Sequence, residues 1–260
     1  MAVGILFHVS NLEACLSMKS SFIFHLAMLA SLLANAQETA SDGQRKTSAK
    51  VFFGATIVGF DETNDGLTVH RNSSIMIVDD TIEAIFNGEY EGKIPTDTEF
   101  IDATNDIITP GFIDTHRHGW QTAFKTLGSN TTLAEYFKRY GEFAAAGGYT
   151  KEQVFISQLA GIYEALNAGV TTMIDHAHHT WSNETVEAGL KASIESGARI
   201  FWCYAFHNIS SFTFGDQVSK FKEIARSETF KGTAANLGIA FDGFHPGSQN
   251  QAETVASLSK

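Results

Sequence analysis

Proline, cysteine and clustered positive charge are all scarce in this sequence. Only 3 of the 260 residues are proline, which favours tight turns over an extended linker. The two cysteines, Cys15 and Cys203, are too few for a disulfide framework. Lysine and arginine are not clustered and the formal net charge is −11. The chain therefore lacks the basic surface that binds nucleic acid or anionic lipid. These absences exclude nucleic acids and other polyanions as expected partners.

The residues that are abundant indicate a folded core. Hydrophobic residues make up 43% of the chain and charged residues 18%, which is typical of a globular protein. The 22 glycines and 21 phenylalanines suit tight turns around an aromatic-rich interior. Cys203 lies inside the apolar run 200–206, where a small buried hydrophobic side chain is favoured over a nucleophile.

The amino-terminal region has the pattern of a secretory signal peptide. Met18 and Lys19 supply a positive start, residues 22–33 are apolar but too short to span a bilayer, and residues 34–36 form a small-x-small cleavage site. For region 1–36 we predict a translation start at Met18, cleavage after Ala36, and a secreted protein with no stable membrane insertion. An uncleaved membrane anchor is the alternative. Four N-x-S/T sequons are compatible with a glycosylating compartment, at Asn72, Asn130, Asn183 and Asn208.

Composition divides the rest of the chain into three parts. Residues 37–49 are polar and non-periodic, which predicts a linker. Residues 50–108 contain short β-rich runs divided by turn signals, which predicts a small antiparallel β module with strands at 51–60, 74–78, 81–86 and 100–103. From 109 to 260, strand-length apolar runs alternate with segments of helical period, with helices expected at 151–168 and 182–197. That alternation predicts an α/β fold with a parallel sheet.

Histidines follow each of four strands expected in the third part. The strands are predicted at 107–114, 170–175, 200–206 and 237–241, and seven of the ten histidines lie at their ends. In β/α barrels the loops after the carboxyl ends of the strands build the active site. This edge of the sheet is therefore predicted to carry a metal or acid–base site.

The first of these strands ends in the pair His116 and His118. Side chains two residues apart share a face of a strand, so the two imidazoles should converge while Arg117 points away. Imidazole binds zinc or iron at about 2.0–2.1 Å. The spacing therefore predicts two ligands of one divalent metal ion.

Two motifs give the chain a resemblance to a known family. P-G-F-I-D-T-H-R-H at 110–118 and A-G-V-T-T-M-I-D at 168–175 resemble the amidohydrolase superfamily, in particular its cytosine-deaminase and chlorohydrolase-like branch, and E-S-G-A-R-I at 195–200 agrees more loosely. The resemblance covers residues 50–260. It implies a TIM-type (β/α) barrel preceded by a small β-sandwich module, and a zinc or iron ion that activates water for attack on a non-peptide C–N bond or, in some members, a C–Cl bond.

The resemblance also indicates which family features these residues do not contain. Members with two metals use a carboxylated lysine at the end of the fourth strand, whereas L-G-I-A-F-D-G-F-H at 237–245 has no lysine, so one metal is expected. The family's later ligands, two histidines and an aspartate, have no counterpart before Lys260. We therefore expect residues 109–260 to be the first half of a truncated barrel whose isolated catalysis is doubtful.

Six more residues are candidate substrate-binding residues, and the catalytic proton shuttle is unassigned. Trp120 and Gln121 follow the metal pair and could stack on and hydrogen-bond a planar ring, or simply pack the first loop. The other four are histidines after later strands, which could line the substrate pocket or be ordinary loop residues: His176, His178, His207 and His245. The leading hypothesis is a hydrolase of a small heterocyclic substrate, with a homo-oligomer left open. The alternatives are a non-catalytic half-barrel that binds small molecules or partners, and the product of a broken gene.

Overall fold

The computed structural model describes residues 6–7 and 48–259, and it divides the chain into two compact units at Pro110 and Gly111. The predicted signal region and most of the predicted linker lie outside the described residues, except for the two residues at 6–7. Within the described part of the chain, no helix is long and apolar enough to cross a membrane.

The first unit is built on one mixed β-sheet. Its strands are β1 (Leu6–Phe7), β2 (Ala49–Asp61), β3 (Gly66–Val78), β4 (Thr81–Phe86), β5 (Glu99–Asp102) and β6 (Ile107–Ile108). They lie in the order β1-β6-β2-β3-β4, and β5 also pairs with β2. The core of this sheet is a cluster of small and β-branched side chains, Ala55, Ile57, Ile75, Ala103 and Ile108. A second layer that would make this sheet a sandwich stays a prediction.

The expectation of a purely antiparallel module is wrong. β2 pairs antiparallel with β3, but it pairs parallel with β5 and β6. Parallel neighbours need a crossover connection rather than a tight hairpin. The segment 87–98 between β4 and β5 supplies that connection, and its turn-rich composition conceals the change of strand direction from sequence patterning.

The strand predicted at 107–114 is in fact two strands. Ile107–Ile108 pairs with β2 in the first sheet, whereas β7 (Phe112–Arg117) begins the second sheet. The break falls at Pro110, which has no backbone N–H to donate to a ladder. As a result β7 starts later and runs further than expected, so that His116 lies within the strand.

The second unit contains a four-stranded parallel sheet in the order β10-β9-β8-β7. After β7, its strands are β8 (Val170–Ala177), β9 (Arg199–Phe206) and β10 (Asn236–Phe241). A 3-10 helix (Gly119–Phe124) and six α-helices connect and follow them: α1 (Leu133–Arg139), α2 (Glu142–Ala145), α3 (Lys151–Asn167), α4 (Asn183–Glu195), α5 (Phe214–Arg226) and α6 (Gln249–Leu258). The predicted alternation of parallel strands and helices is confirmed.

Capping boxes set the starts of the helices that pack on this sheet. At α3 the Thr150 side chain accepts from the Gln153 N–H while the Gln153 side chain accepts from the Thr150 N–H. Ser182 and Thr213 cap α4 and α5 in the same way. Each box satisfies backbone donors that the first helical turn leaves free. The two predicted helices are confirmed to within two residues at each end.

Along β8 and β9, successive side chains face opposite sides of the sheet, and those on one side form the apolar core. Met173 of β8 and Trp202 and Tyr204 of β9 are fully buried among apolar neighbours that include residues of the surrounding helices, and each such side chain stabilises the fold by about 1.5–3 kcal/mol. The intervening residues face the other side of the sheet. Arg117, the last residue of β7, pairs with Asp175 of β8, which continues for two more residues to Ala177. His118, just beyond β7, therefore lies beside the end of β8.

Candidate metal centre

His116 and His118 converge at the end of β7 as their spacing predicts. Their Nε2 atoms are 3.3 Å apart, with the rings edge to face. Two nitrogens bound to one tetrahedral zinc ion at about 2.0–2.1 Å are separated by about 3.4 Å. The pair therefore has the separation that two ligands of one metal ion require. Arg117 points away, where it donates to the Gly161 carbonyl oxygen at 2.8 Å.

A backbone carbonyl sets the tautomer of His118. Its Nδ1 lies 3.0 Å from the His176 carbonyl oxygen, and a carbonyl can only accept, so Nδ1 carries the proton and donates. With the proton on Nδ1, Nε2 is the ring nitrogen that can ligate a metal, and it is the atom that faces His116. Ligating histidines are commonly oriented by such a bond from the other ring nitrogen.

His176 of β8 joins the pair to form a three-histidine group. One ring nitrogen from each of His116, His118 and His176 lies within 4.8 Å of the others. Burial lowers the pKa of His176; Asp242 opposes this shift, and His118 and His116 add to it. The ring is therefore neutral at pH 7 and keeps a lone pair for a metal. The sequence pattern indicated His176 only as a pocket residue.

His178 and Trp120 form a layer behind His118. The His178 ring stacks on His118 with centroids 4.0 Å apart, and its Nδ1 accepts from Trp120 Nε1 at 2.9 Å. Burial lowers the pKa of His178, and His118 adds to the shift, which keeps the stacked ring uncharged. Trp120 has no exposed surface and packs edge to face against Trp181 and Tyr149. Its hydrogen bond and ring contact with His178 link it to the layer behind His118.

The other candidate residues lie to the side of this group. The Gln121 amide is engaged at both ends, because it donates to the Tyr140 carbonyl oxygen and accepts from the Tyr136 hydroxyl, each at 2.8 Å. His207 and His245 line a cavity of about 270 Å³ at the ends of β9 and β10, together with Asp242. His207 is buried, and burial lowers its pKa to about 4, whereas His245 is exposed.

Asp175 is a site residue that sequence reasoning missed. It has no exposed surface, and its carboxylate accepts from the Gly119 N–H at 2.8 Å and from Gln158 Nε2 at 2.6 Å. Burial raises its pKa, while these two hydrogen bonds and the charge of Arg117 lower it. Because Gly119 directly follows His118, this network anchors the turn that carries the histidine pair. The one available signal was the aspartate that ends the 168–175 motif.

Comparison with known sequences identifies the second unit. The sequence model of the amidohydrolase family matches residues 107–251, which confirms the resemblance carried by the two motifs. The 5-methylthioadenosine/S-adenosylhomocysteine deaminase of Caldicellulosiruptor saccharolyticus is 32% identical over 150 residues, which are 55% of this chain and 33% of that protein. The 5'-deoxyadenosine deaminase of Methanosarcina mazei is 29% identical over 106 residues, 39% of this chain and 24% of that protein. The chain thus spans about a third or less of the curated relatives it matches.

Solved structures give the same fold. Guanine deaminase from C. acetobutylicum with bound guanine superposes with a TM-score of 0.66 at 20% identity, covering 81% of this chain and 50% of that chain. A mutant of atrazine chlorohydrolase from Arthrobacter aurescens TC1, complexed with zinc and atraton, superposes with the same score and coverage at 15% identity. At these identities the likeness shows the fold alone. It confirms the predicted partial TIM-type barrel.

Proposed function

This chain belongs to the amidohydrolase family, and on that premise we propose that it forms part of a metal-dependent hydrolase that cleaves non-peptide C–N bonds of a heterocyclic substrate. The observation that carries this proposal is the 3.3 Å separation of the His116 and His118 Nε2 atoms. Two imidazole nitrogens at that distance can chelate one divalent ion. Zinc is the preferred ion because the chlorohydrolase of the same fold is complexed with it; iron is the alternative.

The roles of the chain's own residues follow from their places in the site. His116 and His118 hold the metal, and the bond from His118 Nδ1 to the His176 carbonyl oxygen keeps the second ligand aimed at it. When bound, a divalent metal lowers the pKa of coordinated water to about 7 and so supplies hydroxide at neutral pH. Asp175 holds the turn after His118 in place through the Gly119 N–H.

The cavity beside this group is the proposed place for the substrate. Its volume of about 270 Å³ is close to the lower end of the range for small-molecule sites. Its lining combines the imidazoles of His207 and His245 with the ring of Phe143. Neutral imidazoles both donate and accept hydrogen bonds, and an aromatic face stacks on a planar heterocycle. Deamination or dechlorination of such a ring is the proposed reaction.

Zinc content and product release together test this proposal. The purified chain is loaded with zinc and offered 5'-methylthioadenosine, S-adenosylhomocysteine, 5'-deoxyadenosine and guanine with ammonia as the readout, and atrazine with chloride as the readout. We expect one tightly bound zinc ion, lost in the His116→Ala/His118→Ala double variant and retained in His70→Ala, a histidine of β3 in the first unit. A chain that binds zinc no better than the double variant would refute the hydrolase and favour a non-catalytic binding protein.

We also propose that the protein is secreted. The support is the signal pattern that ends at Ala36 and the exposure of the asparagine in all four sequons. Expression in a glycosylating host should yield secreted protein that begins at Gln37 and shrinks on glycosidase treatment. Protein retained in cells with residues 18–36 intact would contradict this proposal.

A further inference from the structure

Both residues that flank His118 are fastened to the same residue of α3, Gly161. On one side, Arg117 Nη2 donates to the Gly161 carbonyl oxygen at 2.8 Å. On the other side, the Gly119 carbonyl group lies against Gly161, because a Cβ built on Gly161 would be 3.1 Å from the Gly119 carbonyl carbon and closer still to its oxygen. The backbone around His118 is therefore held from both directions at one point of the helix.

The turn side of this contact is also a glycine that has no room for a side chain. A Cβ built on Gly119 would be 2.7 Å from Gln158 Oε1, and Gln158 of α3 has no exposed surface. The Gly119 N–H meanwhile donates to the Asp175 carboxylate at 2.8 Å. Gly119 is thus bound to β8 through its N–H and rests against α3 through its carbonyl group.

Gly161 lies in the interior of α3, where glycine is a poor helix former and usually has a packing reason. An added methyl group would lie 2.6 Å from Thr122 Oγ1 and even closer to the Gly119 carbonyl oxygen. Carbon–oxygen contacts are ordinarily about 3.3–3.6 Å, so these atoms would have to move by more than about 0.5 Å. The helix cannot retreat, because the next residue, Ile162, is fully buried in an apolar cluster with residues of β8 and β9. The turn that begins at Gly119 would move instead.

A shift of that size is larger than a metal site tolerates. Preorganised ligands are held within about 0.5 Å of their productive geometry. The Nε2 atoms of His116 and His118 are 3.3 Å apart, which is the separation that one ion requires. Because His118 directly precedes Gly119, moving the turn takes the His118 ring out of this arrangement.

We propose that Gly161 and Gly119 are positioning residues of the metal centre, whose close contact fixes the backbone of His118 so that its ring stays aimed at the ion. This inference rests on the proposed function, because it concerns the same centre, and it leaves the set of ligands unchanged. The histidine pair of β7 is then aligned by α3, a helix outside the strand that carries the pair.

Zinc affinity, measured by competition with a chromophoric chelator, tests this role. Loss of the groups that orient a ligating histidine lowers metal affinity by about 10- to 100-fold. We expect Gly161→Ala near the upper end, because it meets backbone, and Gly119→Ala near the lower end, because it meets a side-chain amide. In a Thr122→Ala background the loss in Gly161→Ala should persist, since the Gly119 carbonyl group still blocks the methyl group.

Two variants on α5 are the matched controls. Gly215→Ala also adds a methyl group to a helix glycine, but its nearest neighbour is 3.8 Å away. Ile224→Ala removes a side chain from the buried core, and so lowers stability without touching the turn. Both should bind zinc like the unaltered chain under conditions in which circular dichroism shows each variant to be folded. With Co²⁺ as the probe, Gly161→Ala should change the visible ligand-field absorption and Ile224→Ala should not.

The outcomes distinguish this inference from the proposed function. If Gly161→Ala and Gly119→Ala bind zinc as tightly as the unaltered chain while His116→Ala does not, the inference fails and the hydrolase proposal stands. The inference also fails if Ile224→Ala weakens zinc binding as much, if Thr122→Ala restores it, or if neither glycine variant folds, because the contact then serves stability alone. If the unaltered chain binds no zinc, both proposals fail.

Discussion

Replacing Gly189 by alanine should destabilise the second unit, although alanine is the better helix former. Gly189 lies in the middle of α4, and a Cβ built there would be 2.8 Å from His179 Nδ1 and closer still to Cε1 and Nε2. The His179 ring has no exposed surface and lies beside the buried Trp202 ring, so it cannot swing aside. Overpacking a dense core costs about 1–3 kcal/mol, and the gain in helix propensity offsets about 1 kcal/mol. We expect the free energy of unfolding to fall by up to about 2 kcal/mol.

Urea denaturation followed by circular dichroism measures this change. The matched control is Gly215→Ala in α5, where the nearest atom to a new Cβ is Thr213 Oγ1 at 3.8 Å; this variant should be neutral or more stable by up to about 1 kcal/mol. In a His179→Ala background the clash is gone, so Gly189→Ala should become neutral or stabilising. A Gly189→Ala chain that is at least as stable as the unaltered one would refute the reasoning.

Two further predictions concern buried ionisable groups. Burial lowers the pKa of His179 to about 4. Between pH 6.5 and 4 the His179 ring is therefore protonated in the unfolded chain but not in the folded chain. The contribution of this group to the free energy of unfolding is therefore complete above pH 6.5, and it falls by about 3 kcal/mol as the pH drops to 4. In His179→Leu the midpoint of urea unfolding should depend less on pH. The same pH dependence in the variant and the unaltered chain would contradict this prediction. Asp175→Ala leaves the Gly119 N–H and the Gln158 amide without their acceptor, at about 1–3 kcal/mol each. Asp175→Asn keeps an acceptor and should lose less in the same assay, so equal losses would show that these bonds contribute little.

Local rules were enough to predict much of this fold. The alternation of strand and helix in the second unit, the helices at 151–168 and 182–197, and the convergence of His116 and His118 all follow from backbone geometry over a few residues. Such local patterns are the same in every fold that contains the helix or strand in question. The start of α5 also carries a local signal in the sequence, the capping pair of Thr213 with Asp216 three residues later.

Long-range pairing decided the features that the patterns left open. The division of residues 107–117 between two sheets depends on which neighbour each half finds, and the parallel pairing of β2 with β5 depends on a crossover. The two-residue alternation of side chains along a strand encodes neither of these pairings. Pro110 in the sequence marks where the predicted strand breaks. It does not show that the residues before it join the first sheet and the residues after it join the second.

What the sequence alone determined is the histidine pair, because side chains two apart on a strand must share a face. Only the tertiary structure separates His176, which joins that pair, from His178, which stacks behind it and accepts from Trp120. His176 and His178 are two residues apart, as His116 and His118 are, but their surroundings differ. The pairing of β7 with β8 brings His176 beside the ring nitrogens of the pair, and His178 beside an indole. The approach of Asp242 to His176 likewise depends on the registers of β8, β9 and β10, and no local pattern contains that information.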